Sequence, residues 1–236
     1  MNNPLGRRQG PAGGGAVAAP GQDETGSAGK RRGRRAVGTA LLLLSVAMLV
    51  AAGWLGAYPF YTNVRAEREQ TRLTEQFDQL AESVTPEAYA AGAVAEGKPL
   101  TRIRIPKLGV SAVVVEGTNA TALAAGAGHY RDTPLPGEAG NVSIAGHRTM
   151  NGRPFARLDE LKPGDTVVLE TPFAKHTYQL IDGFGGHGNP WVTPPNDWTV
   201  VAASKDSILT LTTCHPKGSA RERMIARAKL VNTEPV

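Results

Sequence analysis

The 236-residue chain carries 26 lysine and arginine side chains against 21 aspartates and glutamates, a formal net charge of +5, and a single cysteine. One cysteine excludes an intramolecular disulfide framework, and the length leaves room for one domain of catalytic size once the tails are set aside. Part of the positive excess is gathered beside an apolar run, and no basic motif interleaved with aromatics is present, so nucleic-acid binding is excluded.

Residues 1–35 are rich in Gly, Ala and Pro and close with the cluster Lys30, Arg31, Arg32, Arg34 and Arg35. Such a segment cannot build a core and is expected to be a disordered cytoplasmic tail. Residues 36–58 then run without a charged side chain, about the twenty residues a helix needs to cross a bilayer. Trp54, Tyr58 and Tyr61 stand at the far end, where interfacial aromatics belong. A cleavable signal peptide is the competing assignment, and Ala51-Ala52-Gly53 resembles a small-residue cleavage site. The apolar run is too long for it and the tail before it too extended, so a retained transmembrane signal anchor is expected. The basic flank stays inside. This orients the chain as a single-pass protein of the plasma membrane, with its amino terminus cytoplasmic and its remainder extracellular.

Residues 59–98 read as an extracellular stalk and linker. Val64, Leu73, Phe77 and Leu80 are interspersed with Arg and Glu, the pattern of a solvated helix continuing from the membrane. Residues 81–98 are rich in Ala, Gly and Glu and contain Pro86. The folded domain is expected over 99–236.

From residue 99 onward short strands are punctuated by turn residues. Ile103 and Ile105 alternate with Arg102 and Arg104, the period of a half-buried strand, and Pro106 ends it. Further strands are predicted at 110–115, 142–146, 165–170, 177–181, 207–214 and 224–231, separated by Pro-Gly, Gly-Asp, Asp-Gly and Gly-rich loops. Residues 121–125 and 155–161 read as short helical turns, and no long amphipathic helix follows residue 99. The pattern predicts an all-β domain, a closed barrel of seven or eight strands.

Cys214 ends the apolar, threonine-rich run that begins at Ser207. A free thiol in an oxidising compartment must be buried or put to use. Successive side chains on a strand point to opposite faces, so Cys214 shares its face with Thr212, Thr210 and Ile208, and Leu209 and Leu211 point the other way. His215 is thereby excluded as its partner, and a base must come from elsewhere. His147 follows the apolar run 142–146 and stands at a strand end, where a side chain can lean over a neighbouring strand; Gly146 gives it backbone room. His129, beside Tyr130 in a Gly-rich segment, is the second choice, and His176 and His187 read as strand-start or loop residues. Attack on a carbonyl also needs a donor for the developing negative charge. Arg221, Arg223 and Arg227 follow the cysteine; Arg223 and Arg227 share a face with Lys229, opposite Met224, Ala226, Ala228 and Leu230, a pattern that a solvated charged face explains equally well.

The motif Thr210-Leu-Thr-Thr-Cys214, preceded by Asn141-Val-Ser-Ile-Ala-Gly-His-Arg148 and followed by Arg223 before a terminal strand, resembles the sortases. The resemblance covers residues 99–231. Thr-Thr-Cys-His-Pro, with Gly-Ala-Gly-His-Tyr130 and Leu135-Pro-Gly-Glu upstream, is most similar to the class E sortases of high-GC Gram-positive bacteria. It implies the eight-stranded sortase barrel and a transpeptidation in which Cys214 is the nucleophile, His147 the general acid and base, and Arg223 the group that holds the substrate carbonyl or its oxyanion. Cys214 would attack the Thr-Gly carbonyl of a Leu-Pro-x-Thr-Gly or Leu-Ala-x-Thr-Gly sorting signal on a secreted protein, and an amine on a cell-wall precursor would release the thioacyl enzyme. A free thiol titrates near about 8.5 and a neighbouring cation favours its charged form, so only a fraction of such an enzyme carries the thiolate and imidazolium together at neutral pH. Tyr130 is expected to shape the choice at the second signal position, with Thr212 and Thr213 as further substrate contacts.

Beyond Val231 only Asn-Thr-Glu-Pro-Val follows, and no Asp-Pro-Phe or Asp-Pro-Trp lid motif precedes the barrel; both features argue against a pilin-polymerising class C enzyme. No dense acidic cluster of calcium-ligand character stands out, so no metal or cofactor is inferred. The Gly, Pro and Trp-rich loop 185–198 borders the groove in this reading. Two rivals stand beside it: a membrane-tethered β-domain that binds peptide or wall polymer with an inert buried cysteine, and a hydrolytic cysteine peptidase.

Overall fold

The alternating pattern after residue 99 produces nine strands in the computed structural model, which describes the backbone of residues 25–236 and the side chains of residues 37–236 apart from Ala81. They are β1 (Pro99–Ile105), β2 (Val110–Glu116), β3 (Ala127–His129), β4 (Gly140–Gly146), β5 (Thr166–Glu170), β6 (Ala174–Leu180), β7 (Trp191–Thr193), β8 (Ser207–His215) and β9 (Glu222–Pro235). Hydrogen bonding joins them in the order β6-β5-β1-β2-β3-β4-β8-β9, and β9 returns to pair with β6. The expected eight-stranded barrel is therefore closed, which removes its open edges. The ninth strand, β7, lies outside this ring. The 14 residues of β9 accommodate both neighbours, with β7 along residues 223–225 and β6 along residues 228–235. Pairing is antiparallel except for β2 with β3 and β4 with β8.

The barrel interior takes one face of each strand. Val142 and Ile144 of β4, Leu209 and Leu211 of β8, and Met224, Ala226 and Ala228 of β9 meet Ile103, Ile105, Val167, Leu169 and Tyr178 there. Phe155, Leu158 and Leu161, around the predicted turn, plug the same core and are almost fully buried. Each such side chain contributes about 1.5–3 kcal/mol relative to exposure. Two strands had no counterpart in the sequence pattern: β3 and β7 are three residues each, too short to display an alternation.

Four α-helices accompany the barrel: α1 (Thr25–Asp78), α2 (Leu80–Ser83), α3 (Pro86–Ala90) and α4 (Ala120–Ala124). The tail expected over residues 1–35 lies outside the described residues up to residue 24, and α1 begins at Thr25. The chain divides into two units, one ending at Ala52 and one running from Gly53 to Val236. In the first, Leu41 to Leu44 of α1 are each more than half exposed. With a mean hydropathy of 2.2 over 18 residues, none of them buried, the helix is long and apolar enough to cross a membrane.

In the second unit, α1 is not a solvated stalk. Ala66, Leu73 and Phe77 are buried, and Leu73 and Phe77 pack on Val113 and Val115 of β2 and on Ala122 and Ala125 at α4. Between them Gln70 fills a stretch of open edge on β2, donating to Val113 O and accepting from Val113 N. Positions 66, 70, 73 and 77 form one helical stripe. Residues 81–98 pack as well. Thr85 caps α3 by accepting from Ala88 N, and the Tyr89 hydroxyl donates to Leu100 O at 3.0 Å.

Candidate active site

Three strands carry the chemistry-bearing residues, and their register aligns them. On the outer face of β8 stand Thr210, Thr212 and Cys214, whose partners on β9 are Arg227, Ile225 and Arg223. On the other flank, Ser143 and Ala145 of β4 pair with Thr210 and Thr212. His147 directly follows β4, two residues past Ala145, the last residue of that pairing. Beyond β9, Trp191 and Thr193 of β7 pair with Ile225 and Arg223. The outer surface is thus a lattice with a spacing of about 7 Å along the strands. One row reads Cys214, Arg223, Thr193, with His147 beyond the end of β4 on its flank; the next reads Ala145, Thr212, Ile225, Trp191; the third contains Ser143, Thr210 and Arg227.

His147, Cys214 and Arg223 are each half-buried. Burial holds the His147 imidazole below the ordinary histidine value, because removing water disfavours its charged form. Its position is fixed from behind: a side chain at Gly146 would come within 2.6 Å of the Phe155 ring, and Phe155 N donates to His147 O at 3.3 Å. Arg223 turns one terminal nitrogen onto the carbonyls of Ala220 and Glu222, at 3.0 and 3.1 Å, and forms no ion pair with a carboxylate among the described residues. A half-exposed guanidinium with donors to spare, directly across from a thiol, can hold a carbonyl oxygen that gains charge.

Beneath the row lies a residue the sequence argument passed over. Arg148 is 4% exposed. Its Nη1 donates to His215 Nδ1 at 2.8 Å and approaches Cys214 O at 3.4 Å, and its Nη2 pairs with Asp159 Oδ1 at 3.0 Å. His215 is therefore committed to Arg148, as the parity argument for excluding it requires. Strand parity could not have reported it, because Arg148 lies two residues past the end of β4.

The Sortase domain family model matches residues 103–231. The chain is 29% identical to sortase SrtE1 of Streptomyces coelicolor over 215 residues, which cover 85% of this chain and 58% of that protein. It is 30% identical to sortase D of Bacillus subtilis over 201 residues, covering 80% of this chain and 96% of that protein. The solved structure of sortase E from Streptomyces avermitilis aligns with a TM-score of 0.53 at 36% identity, covering 60% of this chain and 93% of that one. The chain belongs to the sortase family. It is class E-like, and as a sortase it is a cysteine transpeptidase.

The remaining expected contacts divide in this sortase. The Tyr130 hydroxyl lies 3.2 Å from Thr212 Oγ1, so both border the face one row from Cys214. Thr213 does not join them. It has the inward parity of Leu209 and Leu211, and its hydroxyl donates to Gly146 O at 2.8 Å, tying the end of β8 to the residue before His147. His129 is also removed from the site: it is 1% exposed, with Nδ1 on Glu116 Oε2 and Nε2 on Pro134 O, each at 3.0 Å.

Arg227, which sequence alone placed on a charged face, is instead 3% exposed. Its Nε donates to Thr210 Oγ1 at 3.1 Å and its Nη2 to Val200 O at 2.6 Å. The guanidinium lies 3.8 Å from the Phe184 ring centroid and 5.5 Å from that of Trp191. Asn189 spans Ile181 O and both backbone groups of Arg227. Together these contacts hold residues 181–202 along the edge of the catalytic face.

Proposed function

We propose that this sortase is a membrane-anchored transpeptidase that cleaves a C-terminal sorting signal of the Leu-Pro-x-Thr-Gly or Leu-Ala-x-Thr-Gly type between Thr and Gly and transfers the protein to an amine of a cell-wall precursor. The observation that carries the reading is the pairing of Cys214 with Arg223 across β8 and β9, with His147 directly following β4, the strand on the other side of β8. In the first half-reaction the Cys214 thiolate forms a C–S bond to the threonine carbonyl carbon while Arg223 donates to its oxygen. The C–N bond then breaks, and the proton on His147 passes to the departing glycine amine. In the second, the acceptor amine attacks the thioester and gives a proton to His147, and the C–S bond breaks to return the thiolate. Burial of His147 lowers the fraction protonated at neutral pH, which limits the rate but makes the imidazolium a stronger acid when present.

The apolar part of α1 supports a single-pass anchor over residues 36–58, and the basic cluster at 30–35 supports a cytoplasmic amino terminus. The test is incubation of the detergent-solubilised full chain with a labelled sorting peptide, with and without an amine acceptor. Exchange of the peptide onto the amine is expected, with loss of every covalent step in Cys214→Ala. Cleavage without exchange would favour a hydrolase, absence of both a binding module, and turnover by Cys214→Ala would remove the assignment altogether.

A further inference from the structure

The loop that leaves the His147 end of β4 carries a second constellation, which the proposed reaction does not use. It turns back onto α1 just past the apolar run: Gly152 N donates to Asn63 Oδ1 at 3.0 Å. Against this loop lies a cavity of about 630 Å³ whose lining includes Pro59, Leu108, Arg148, Arg153, Arg157 and Lys217. Every charged side chain on that lining is a cation. Asp159 answers Arg148 and Glu160 answers Arg157, at 3.0 and 2.6 Å. Arg153 and Lys217 are exposed and make no close ion pair among the described residues; Asp159 and Glu160 act on Lys217 only at longer range, so the four cations of the lining outnumber the two nearby carboxylates.

A second observation points to a missing acceptor. Arg148, nine-tenths buried and on the cavity lining, has its Nε buried without a hydrogen-bond partner; buried charged donors ordinarily find one. The location narrows what could supply it. Pro59 immediately follows the uncharged run 36–58, so the cavity lies where a helix crossing a bilayer leaves the hydrocarbon for the headgroup layer. Pro59 and Leu108 give it an apolar border, and the four cations favour an oxyanion with several acceptor atoms.

We propose that this cavity binds the phosphate of an anionic lipid headgroup at the outer membrane–water interface, with Arg153 and Lys217 as its principal cations. The inference rests on the membrane-spanning reading of residues 36–58 and is independent of the transpeptidation chemistry. Because Lys217 lies three residues beyond Cys214, an occupied site would also tether the segment that follows the nucleophile.

The test uses the full chain in micelles of a neutral detergent, doped either with phosphatidic acid or with phosphatidylcholine, whose phosphate is masked by its choline. Binding is read from saturation of the rise in unfolding temperature with lipid concentration. Phosphatidic acid is expected to bind saturably and phosphatidylcholine far more weakly. Arg153→Gln combined with Lys217→Gln should weaken phosphatidic acid binding roughly 30-fold, at about 1 kcal/mol for each basic residue near an anionic surface. Both side chains are exposed, so the fold should survive. Equal affinity in wild type and variant would overturn the proposal, as would displacement by inorganic phosphate at the same concentration, which would make the ligand a soluble anion. Extraction of membranes at alkaline pH separates the two readings: release of the protein would refute the span, whereas retention without lipid binding would refute the cavity alone.

Discussion

Replacing Arg227 by methionine should loosen the wall of the substrate groove while leaving the chemistry intact. The gross interactions of the guanidinium are large. It makes two hydrogen bonds, to Thr210 Oγ1 and Val200 O, each about 1.5–3 kcal/mol for a charged donor, and a desolvated stacking contact with Phe184 of about 2 kcal/mol. Against this stands the cost of burying the charge without a paired carboxylate, several kcal/mol. That burial pushes the arginine below its ordinary pKa, and Asp197 only partly restores it. Methionine keeps an unbranched apolar stem, two atoms shorter, and relieves the cost. The abandoned acceptors are not orphaned, since Thr210 still donates to Asn141 Oδ1 and Val200 O still accepts from Asn141 Nδ2.

The net loss is therefore about 1–3 kcal/mol, well short of the gross sum, and the unfolding temperature should fall by roughly 2–12 °C at about 2–4 °C per kcal/mol. Phe184 and Trp191 lose their anchor, so KM for a sorting peptide should rise about tenfold, the equivalent of about 1.4 kcal/mol, with kcat within about twofold. Alkylation of Cys214 by iodoacetamide, which needs no peptide groove, should proceed at the wild-type rate. A lowered unfolding temperature with unchanged KM would show that Arg227 serves the fold alone. A slowed alkylation would show that the change reaches the nucleophile and that the separation of wall from row is wrong.

Two further outcomes follow from the same geometry. Burial lowers the His147 pKa, so the acid limb of kcat/KM for peptide cleavage should lie below about 6.5, the ordinary histidine value, and a limb above about 7 would contradict the assignment. The unfolded chain takes up this proton first, so the stability contributed by neutral His147 is full above that value and is lost as pH falls through the window between unfolded and folded pKa. His176 is lowered by burial in the same sense, and the difference between wild type and His147→Asn in urea titrations at pH 5 and 7.5 isolates the His147 share. At Tyr130, whose hydroxyl meets Thr212, substitution by Ala should change the ratio of kcat/KM for Leu-Ala-x-Thr-Gly and Leu-Pro-x-Thr-Gly peptides by about 1 kcal/mol, roughly fivefold; an unchanged ratio would remove Tyr130 from specificity.

What could be read from the sequence was governed by periodicity. Leu209 and Leu211 alternate with Thr210 and Thr212, and Ala226 and Ala228 with Arg227 and Lys229, so β8 and β9 and their inward faces were legible in the sequence. The packed stripe on α1 was hidden because two of its members, Ala66 and Gln70, do not register as large apolar residues: one lies close beneath Gly152 and the other works through its amide. The burial of Arg227 was equally hidden. Its cover comes from Phe184 and Trp191, some forty residues earlier in the chain, and no local pattern on β9 reports that. Parity removed His215 from the site, and the same parity misplaces nothing once Thr213 is counted with Leu209 and Leu211 rather than with Cys214.

The threonines of Thr210-Leu-Thr-Thr-Cys214 fix β8 among its neighbours. Each hydroxyl has a separate structural partner: Thr210 joins Asn141 and Arg227, Thr212 meets Tyr130, and Thr213 holds Gly146. Their branched side chains suit a pleated, half-buried surface, while their hydroxyls link β8 to both flanking strands and to Tyr130. Cys214 thus stands at the end of a strand paired on both sides, and its proposed acid and its proposed carbonyl donor come from those same neighbours. Residues 181–202, by contrast, reach the face through the three residue pairs of β7 with β9 and the contacts gathered at Asn141, Asn189 and Arg227. Substitutions in the wall should consequently alter which peptide is bound, and substitutions along β4, β8 and β9 whether the bound peptide reacts.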